Sequence, residues 1–427
     1  MRICVVALGK IGLPLAVQFA SKGHRVVGAD ISERVVRSVN EGMVPFPGEA
    51  DLDVKLKEVV AAGLLSATTD TTAAVADSEA VVLVVPLFVD ADGKPDFGWM
   101  DDATRAVAAG LRPGTLVSYE TTLPVGTTRN RWVPMLEQGS GLTAGRDFFL
   151  VFSPERVLTG RVFADLRRYP KLVGGLDEQS ARRGVEFYEA VLDFDPREDL
   201  PRPNGVWDLG SAEAAELAKL AETTYRDVNI GLANQFARYA DKIGVDVLKV
   251  IEACNTQPYS HIHLPGIAVG GHCIPVYPRL YLWNDPEATV VRAAREANAA
   301  MPAYAVDLLA AAFGDLTGVD VVVLGAAYRG GVKETAFSGV FPTVEELRRR
   351  GARPYVSDPM YTADELAELG LPPHKGEPVS AAVVQADHAE YRTLTAADLP
   401  GVRVLVDGRR VTDPSRWPGV RRVVIGG

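Results

Sequence analysis

An apolar run over residues 2–8 gives way to the turn Ala7-Leu8-Gly9-Lys10-Ile11-Gly12, and Leu13 to Ser21 then carry helical periodicity. Strand, glycine turn and helix in that order leave a chain few options. A second apolar run, His24 to Ala29, ends in Asp30, about twenty residues beyond the turn. Glycines there let a backbone approach a pyrophosphate, and the helix N-terminus supplies amides to hold its charge. An acid at Asp30 can hydrogen-bond the adenosine ribose hydroxyls, which favours NAD over its phosphorylated form. The first glycine of the pattern is Ala7 here, the smallest replacement, which costs some turn geometry without blocking the pyrophosphate.

Apolar runs at Ala80 to Val85, Leu116 to Tyr119 and Phe148 to Phe152 continue the alternation of strand and helix, which predicts a doubly wound parallel sheet. Ligand-facing residues then lie at the carboxyl ends of strands: Pro86, the loop Glu120-Thr121-Thr122-Leu123-Pro124, and Ser153-Pro154-Glu155-Arg156-Val157. Proline, glycine, serine and threonine also make ordinary turns. Glu155, between a strand end and a proline-constrained turn, is the carboxylate best placed to take a proton.

A connector rich in Pro, Asp and Arg, about Asp195 to Gly210, precedes Ser211-Ala-Glu-Ala-Ala-Glu, the expected capped start of a long helix running towards Ile243. That helix carries more apolar residues than one face needs, so it is expected to be buried on several sides, with a dimer interface along it. Lys219 sits among alanines and leucines, as a partly buried ammonium or as a lysine snorkelling to water. From about Asp320 a second alternating unit begins, lacking a phosphate fingerprint, with strands at Val321 to Leu324, Arg353 to Ser357, Ala382 to Ala386, Val402 to Val406 and Arg422 to Ile425. The expected fold is α/β: two Rossmann-like doubly wound parallel-sheet domains joined by a central long helix. Its expected divisions are residues 1–197 (NAD binding), 205–305 (central, helical, dimerising, with the candidate nucleophile) and 306–427 (a second nucleotide-containing ligand).

Composition narrows the ligands. A formal charge of -10 over 427 residues argues against a sequence-independent grip on nucleic acid. The three cysteines, Cys4, Cys254 and Cys273, lack metal-ligand spacing, so a reduced, cytoplasmic protein without bound metal or disulfides is expected. The apolar N-terminus has no small-residue cleavage site and is interrupted by Gly9, Lys10, Gly12 and Pro14, so neither a signal peptide nor a membrane span is expected. Cys273 stands in Gly270-Gly271-His272-Cys273-Ile274-Pro275, framed by residues that bring backbone and ligand close. It is a nucleophile or a small buried hydrophobe.

Together these motifs, with Lys219 to Asn234, Tyr328-Arg329 and Asp407-Gly408-Arg409, resemble the UDP-glucose/GDP-mannose (nucleotide sugar) 6-dehydrogenases over nearly the whole chain. The run Arg226-Asp-Val-Asn-Ile and the run Pro265 to Cys273 look more like the UDP-N-acetylmannosamine and UDP-N-acetylglucosamine dehydrogenase branch. The resemblance implies oxidation of the sugar's C6 alcohol to a carboxylate with two NAD reduced, for polysaccharide precursors, in a homodimer. Cys273 would trap the aldehyde and carry a thioester, Lys219 would stabilise oxyanion character at C6, and Glu155, through Thr122, would serve the hydrolytic water. It further implies Ala7, Gly9, Lys10, Ile11, Gly12, Asp30, Pro86, Thr121 and Arg329 for the cofactor. For the UDP-sugar it implies Arg156, Val157, Asn229, Gly270, Gly271, Tyr328 and Lys333.

Four departures stand out against the family pattern. Thr223 replaces an asparagine, Tyr277 an aspartate and Ala336 an arginine, and Tyr259 to Leu264 lacks an arginine that many members have. Lys333, His261 or His263 are the candidate substitutes. Thr223 keeps a donor and an acceptor, whereas Tyr277 offers no carboxylate. Three readings stay open: a working dehydrogenase of a divergent subgroup, an enzyme with altered output or substrate, and a binder that has lost catalysis.

Overall fold

The computed structural model describes residues 1–90 and 93–427, and the chain packs as two units, Met1–Ala221 and Glu222–Gly427. The first unit is built on an eight-stranded sheet. Its strands are β1 (Arg2–Val6), β2 (Arg25–Ala29), β3 (Leu65–Thr68), β4 (Ala80–Leu83), β5 (Leu116–Tyr119), β6 (Phe149–Phe152), β7 (Lys171–Gly175) and β8 (Val206–Asp208), in the order β8-β7-β6-β5-β4-β1-β2-β3. Strands β4, β5 and β6 are buried at every position, and β1 at all but its first, because helices cover both faces of the sheet. Within β1, Ile3 and Val5 enter one core while Cys4 and Val6 enter the other, the two-residue period of a strand feeding two layers. The order reverses at β1, flanked by β2 and β4, and the glycine turn leaves the sheet there.

Two features depart from a plain parallel sheet. Strand β7 runs antiparallel to β6, with Val151 opposite Gly175, while β8 returns parallel to β7. Beyond β4, Phe88–Val89 and Pro95–Asp96 form a short antiparallel ribbon.

The helix Ala212–Ile243 spans 32 residues, so the expected long helix is present. In the second unit five parallel strands, β9 (Asp320–Leu324), β10 (Arg353–Ser357), β11 (Ala381–Val384), β12 (Val404–Asp407) and β13 (Arg421–Val424), take the order β10-β9-β11-β12-β13. Here too alternate residues of one strand supply two cores: Val321 and Val323 one, Val322 and Leu324 the other. Both sheets are therefore doubly wound. No helix of the described residues is long and apolar enough to cross a membrane.

Candidate active site

The turn after β1 shows why its residues are small. Ala7 adopts φ of 74°, the left-handed region in which the glycine it replaces would sit without strain. A side chain at Gly12 would place its Cβ 1.9 Å from the Ala7 carbonyl oxygen, so that position tolerates only glycine. Gly9, by contrast, faces open space, as close approach of a pyrophosphate requires. The helix Gly12–Ser21 begins without any side-chain cap; the Leu13 amide donates to the Gly9 carbonyl at 3.1 Å and Pro14 has no amide hydrogen, so an anion there would meet the Gly12 amide and the positive end of the helix. Lys10 is exposed and Ile11 half-buried beside them.

Asp30 has a local task as well. Its Oδ2 accepts from the Leu8 amide at 2.8 Å and its Oδ1 from the Ser32 amide at 2.9 Å, so it braces the glycine turn from the end of β2. Each carboxylate oxygen retains a lone pair for a ribose hydroxyl. These residues fit NAD.

The loops after β4 and β5 are tied together by the Thr121 hydroxyl, which donates to the Val85 carbonyl at 2.6 Å next to exposed Pro86. Thr122 is buried. A residue missed in the sequence, Glu216, anchors this loop from the long helix: its carboxylate accepts from the amides of Gly126 (2.6 Å) and Thr128 (2.9 Å) and from the Thr128 hydroxyl (2.6 Å). Burial pushes Glu216 up to about 7. Its only trace in the sequence is an acid placed among alanines.

Glu155 lies at the end of β6 in a polar cluster drawn from four elements. Its Oε1 accepts from the amides of Arg156 (2.6 Å) and Val157 (3.0 Å), and its Oε2, buried and without a hydrogen bond, faces Lys171 Nζ at 3.7 Å. Lys171 also donates to Glu120 Oε2 at 2.7 Å, and Glu120 Oε1 accepts from the Tyr188 hydroxyl at 2.6 Å. The Tyr188 hydroxyl is in turn 2.7 Å from Ser118 Oγ. Burial pushes Glu120 up to about 7 against the pull of Lys171. Burial also acts on Glu155, but the charge of Lys171, the two amides and the neighbouring Glu120 carboxyl outweigh it and hold its carboxyl below the usual range. Beside Glu155 and Lys171 opens a pocket of about 10 Å³, room for about one water molecule. The Arg156 guanidinium reaches the Pro170 carbonyl at 3.2 Å, and Val157 packs on the core.

Lys219 is 7% exposed, so it does not snorkel; Thr223, one turn later on the same helix, is fully buried.

In the second unit the cysteine loop is moulded on the loop after β9. A side chain at Gly270 would meet Tyr328 Cβ at 2.6 Å, and Gly271, at φ of 92°, has the Tyr328 ring 3.1 Å from where its Cβ would be. The Gly271 amide donates to the Ala336 carbonyl at 2.8 Å. Cys273 is exposed, which sets aside the buried-hydrophobe reading. Its Sγ lies 3.8 Å from the hydroxyl of Tyr277, whose amide donates to the Cys273 carbonyl at 2.9 Å. The tyrosine in the aspartate's place thus sits one turn on and reaches back to the sulfur. His272 Nε2 lies 3.4 Å from Glu334.

The Tyr328 hydroxyl accepts from Arg329 Nε at 3.1 Å, and Arg409 bonds the carbonyls of Gln385 (2.8 Å), Ala268 (3.2 Å) and Tyr328 (3.4 Å), locking the two loops to the sheet. Lys333 pairs with Glu365 at 2.5 Å. Asn229 holds backbone: it donates to the His261 carbonyl at 2.6 Å and accepts from the His263 amide at 2.9 Å. It fixes the segment that lacks the arginine. The His263 imidazole is half-buried beside the ring of Tyr225 and, through burial and then the charge of Arg226, resists protonation.

Comparison with known proteins extends along the same elements. Residues 1–192, 213–300 and 322–414 match the NAD binding, central and UDP binding domains of the UDP-glucose/GDP-mannose dehydrogenase family. A UDP-N-acetyl-D-mannosamine dehydrogenase of Pyrococcus horikoshii is 36% identical over 421 residues, 96% of each chain. An NDP-N-acetyl-D-galactosaminuronic acid dehydrogenase of Ralstonia solanacearum is 30% identical over 426 residues, 97% of each. A solved structure of the UDP-D-ManNAc dehydrogenase from Pyrococcus horikoshii superposes with a TM-score of 0.89 at 35% identity, covering 100% of this chain and 99% of that one. With a glycine turn shaped for NAD, a second doubly wound sheet and three matched domains along its length, the chain belongs to the UDP-glucose/GDP-mannose dehydrogenase family, NAD-dependent enzymes that oxidise nucleotide sugars.

Proposed function

We propose that this chain oxidises the C6 alcohol of a UDP-N-acetylhexosamine to the uronate in two steps, through a covalent intermediate on Cys273. The observation that carries the reading is the exposed thiol on a loop whose Gly270 and Gly271 pack against Tyr328 more closely than any side chain would allow. When bound, NAD accepts the hydride that leaves C6 in each oxidation. After the first, the Cys273 sulfur adds to the aldehyde carbon and the aldehyde oxygen takes a proton, giving a thiohemiacetal that keeps the aldehyde from escaping. Loss of a second hydride and the hydroxyl proton leaves a thioester. Water then attacks it, Glu155 takes the water's proton and the thiol departs. Lys219 stabilises negative charge on the C6 oxygen, its ammonium being worth most where water is excluded. Thr122 and Thr223 supply hydroxyls, and Tyr277 takes the aspartate's position with a hydroxyl that steadies the sulfur. Arg156, Val157, Asn229, Tyr328 and Lys333 shape the UDP-sugar site, and Arg329 contributes to that of the cofactor.

Support for the N-acetylhexosamine comes from relatives matched along nearly their whole length, one named for UDP-N-acetyl-D-mannosamine and one for NDP-N-acetyl-D-galactosaminuronic acid; UDP-glucose is the runner-up. The test is the number of NADH formed per sugar consumed, with UDP-N-acetylmannosamine, UDP-N-acetylglucosamine, UDP-glucose and GDP-mannose as substrates. Two NADH per sugar are expected. One would mean that Tyr277 and Thr223 cut the reaction short, and none with any sugar would sink the proposal.

We also propose a homodimer through the long helix, in the cytoplasm, with the chain working as the three divisions 1–197, 205–305 and 306–427. The exposed side chains Tyr225, Leu232, Phe236, Tyr239 and Ile243 fall within one narrow stripe at 3.6 residues per turn, an apolar face suited to a second copy of itself. Phe236→Glu is expected to convert the dimer to monomer in sedimentation velocity; a monomeric unmodified protein would refute the interface.

A further inference from the structure

Glu155 is the base of the reaction proposed above, and the inference here rests on that role. Its two oxygens differ. Oε1 is occupied by two amides, whereas Oε2 is buried, makes no hydrogen bond and points at Lys171 from 3.7 Å. An oxygen so placed is the one free to take a proton. Lys171 is itself engaged at 2.7 Å by Glu120, which is fully buried and held from its other side by Tyr188. Lys171 therefore has two carboxyl groups within reach, Glu120 at 2.7 Å and Glu155 at 3.7 Å, in a place where water screens little. The Lys171 ammonium also lies 4.7 Å from the centre of the Tyr188 ring, a second restraint on its position.

We propose that Lys171 and Glu120 are positioning residues for Glu155: Lys171 holds Glu155 ionised beside the pocket, and Glu120, itself held by Tyr188, holds Lys171 in place. The other polar groups nearby have partners of their own. Asp165, on the pocket wall, pairs with Arg161 and accepts from the Leu158 amide. The Arg156 guanidinium bonds the Pro170 carbonyl, and the Tyr188 hydroxyl donates to Glu120. Without Lys171, the nearby positive charge that offsets burial at Glu155 is lost, so Glu155 holds its proton to higher pH and is a base over a narrower range. Glu120, pushed up to about 7, is already protonated where Glu155 titrates, so it serves Glu155 through its grip on Lys171 and not through a charge of its own.

The experiment is the pH dependence of kcat/KM for uronate formation in the unmodified enzyme, Lys171→Met, Glu120→Gln and the double variant, with Glu155→Gln identifying the acidic limb. Lys171→Met is expected to move that limb up by about one pH unit or more, a roughly tenfold loss at a pH just below it. Glu120→Gln, which keeps a neutral hydrogen-bonding group in place, is expected to move it little, and the double variant, which still lacks the Lys171 charge, to move it up as Lys171→Met does. A uniform loss at every pH, with the limb unmoved, would assign Lys171 a structural role only and overturn the proposal. Where Lys171→Met does not fold, as judged by NADH binding, the double variant, which leaves no buried charge at position 120 to pair, decides the matter by the same upward shift. A carbon-13 titration of glutamate carboxyls without substrate, with Glu155 assigned by its loss in Glu155→Gln, reads the same coupling directly. Absence of turnover with every nucleotide sugar would defeat the proposed function, whereas a Glu155 carboxyl that titrates alike with and without Lys171 would defeat this inference.

Discussion

Replacing Cys273 by serine is expected to abolish uronate formation, with kcat down by at least about 10³-fold, while NAD and the nucleotide sugar still bind. The size of the effect follows from the intermediate. A hydroxyl at neutral pH is a far poorer nucleophile than a thiol and gives an ester in place of a thioester, so both trapping and release suffer. The exchange is nearly isosteric and the side chain is exposed, so folding is not at stake. Binding is checked by NADH fluorescence and by calorimetry with the nucleotide sugar. Serine-enzyme turnover at the normal rate, with two NADH per sugar, would rule out the thioester route.

Lys219→Ala is the second large effect: kcat is expected to fall on the order of 10² to 10³-fold, with KM changed only several-fold. A charge that matters when negative charge develops on oxygen lowers the barrier more than it aids binding. Because Lys219 is 7% exposed, removing its aliphatic stem also leaves a cavity, so Lys219→Met serves as the packing control. Both variants should lose kcat alike. A large rise in KM at unchanged kcat would instead make Lys219 a binding residue. Recovery of kcat in the methionine variant would trace the loss to packing.

How much of this was legible in sequence depended on distance along the chain. The glycine turn could be read because all its parts lie within about thirty residues and each has a steric reason. Even its irregularity carried through: Ala7, out of pattern as a residue, is out of the ordinary as a backbone, at φ of 74°. The cysteine loop was legible as a turn, since paired glycines have few other uses, but the Tyr328 ring that demands them lies 57 residues away. For Asn229 the substrate contact implied by likeness is joined by a backbone role that no motif announces.

What the sequence determined by itself was local and periodic: the order of strands and helices, the two doubly wound units, the long helix, the nucleotide turn and the residues that could do chemistry. Those follow from side-chain period, from backbone freedom at glycine and from the reactivity of single groups. Tertiary structure decided the environments. Glu120, Glu155, Lys171 and Tyr188 are scattered over residues 120–188 and meet only because β5, β6, β7 and the helix Glu178–Val191 bring them together. The antiparallel turn of β7 and the anchoring of the Thr121–Thr122 loop by Glu216 are likewise contacts between distant segments. Charge state and orientation depend on what a group faces after folding, and a linear pattern records only what it follows.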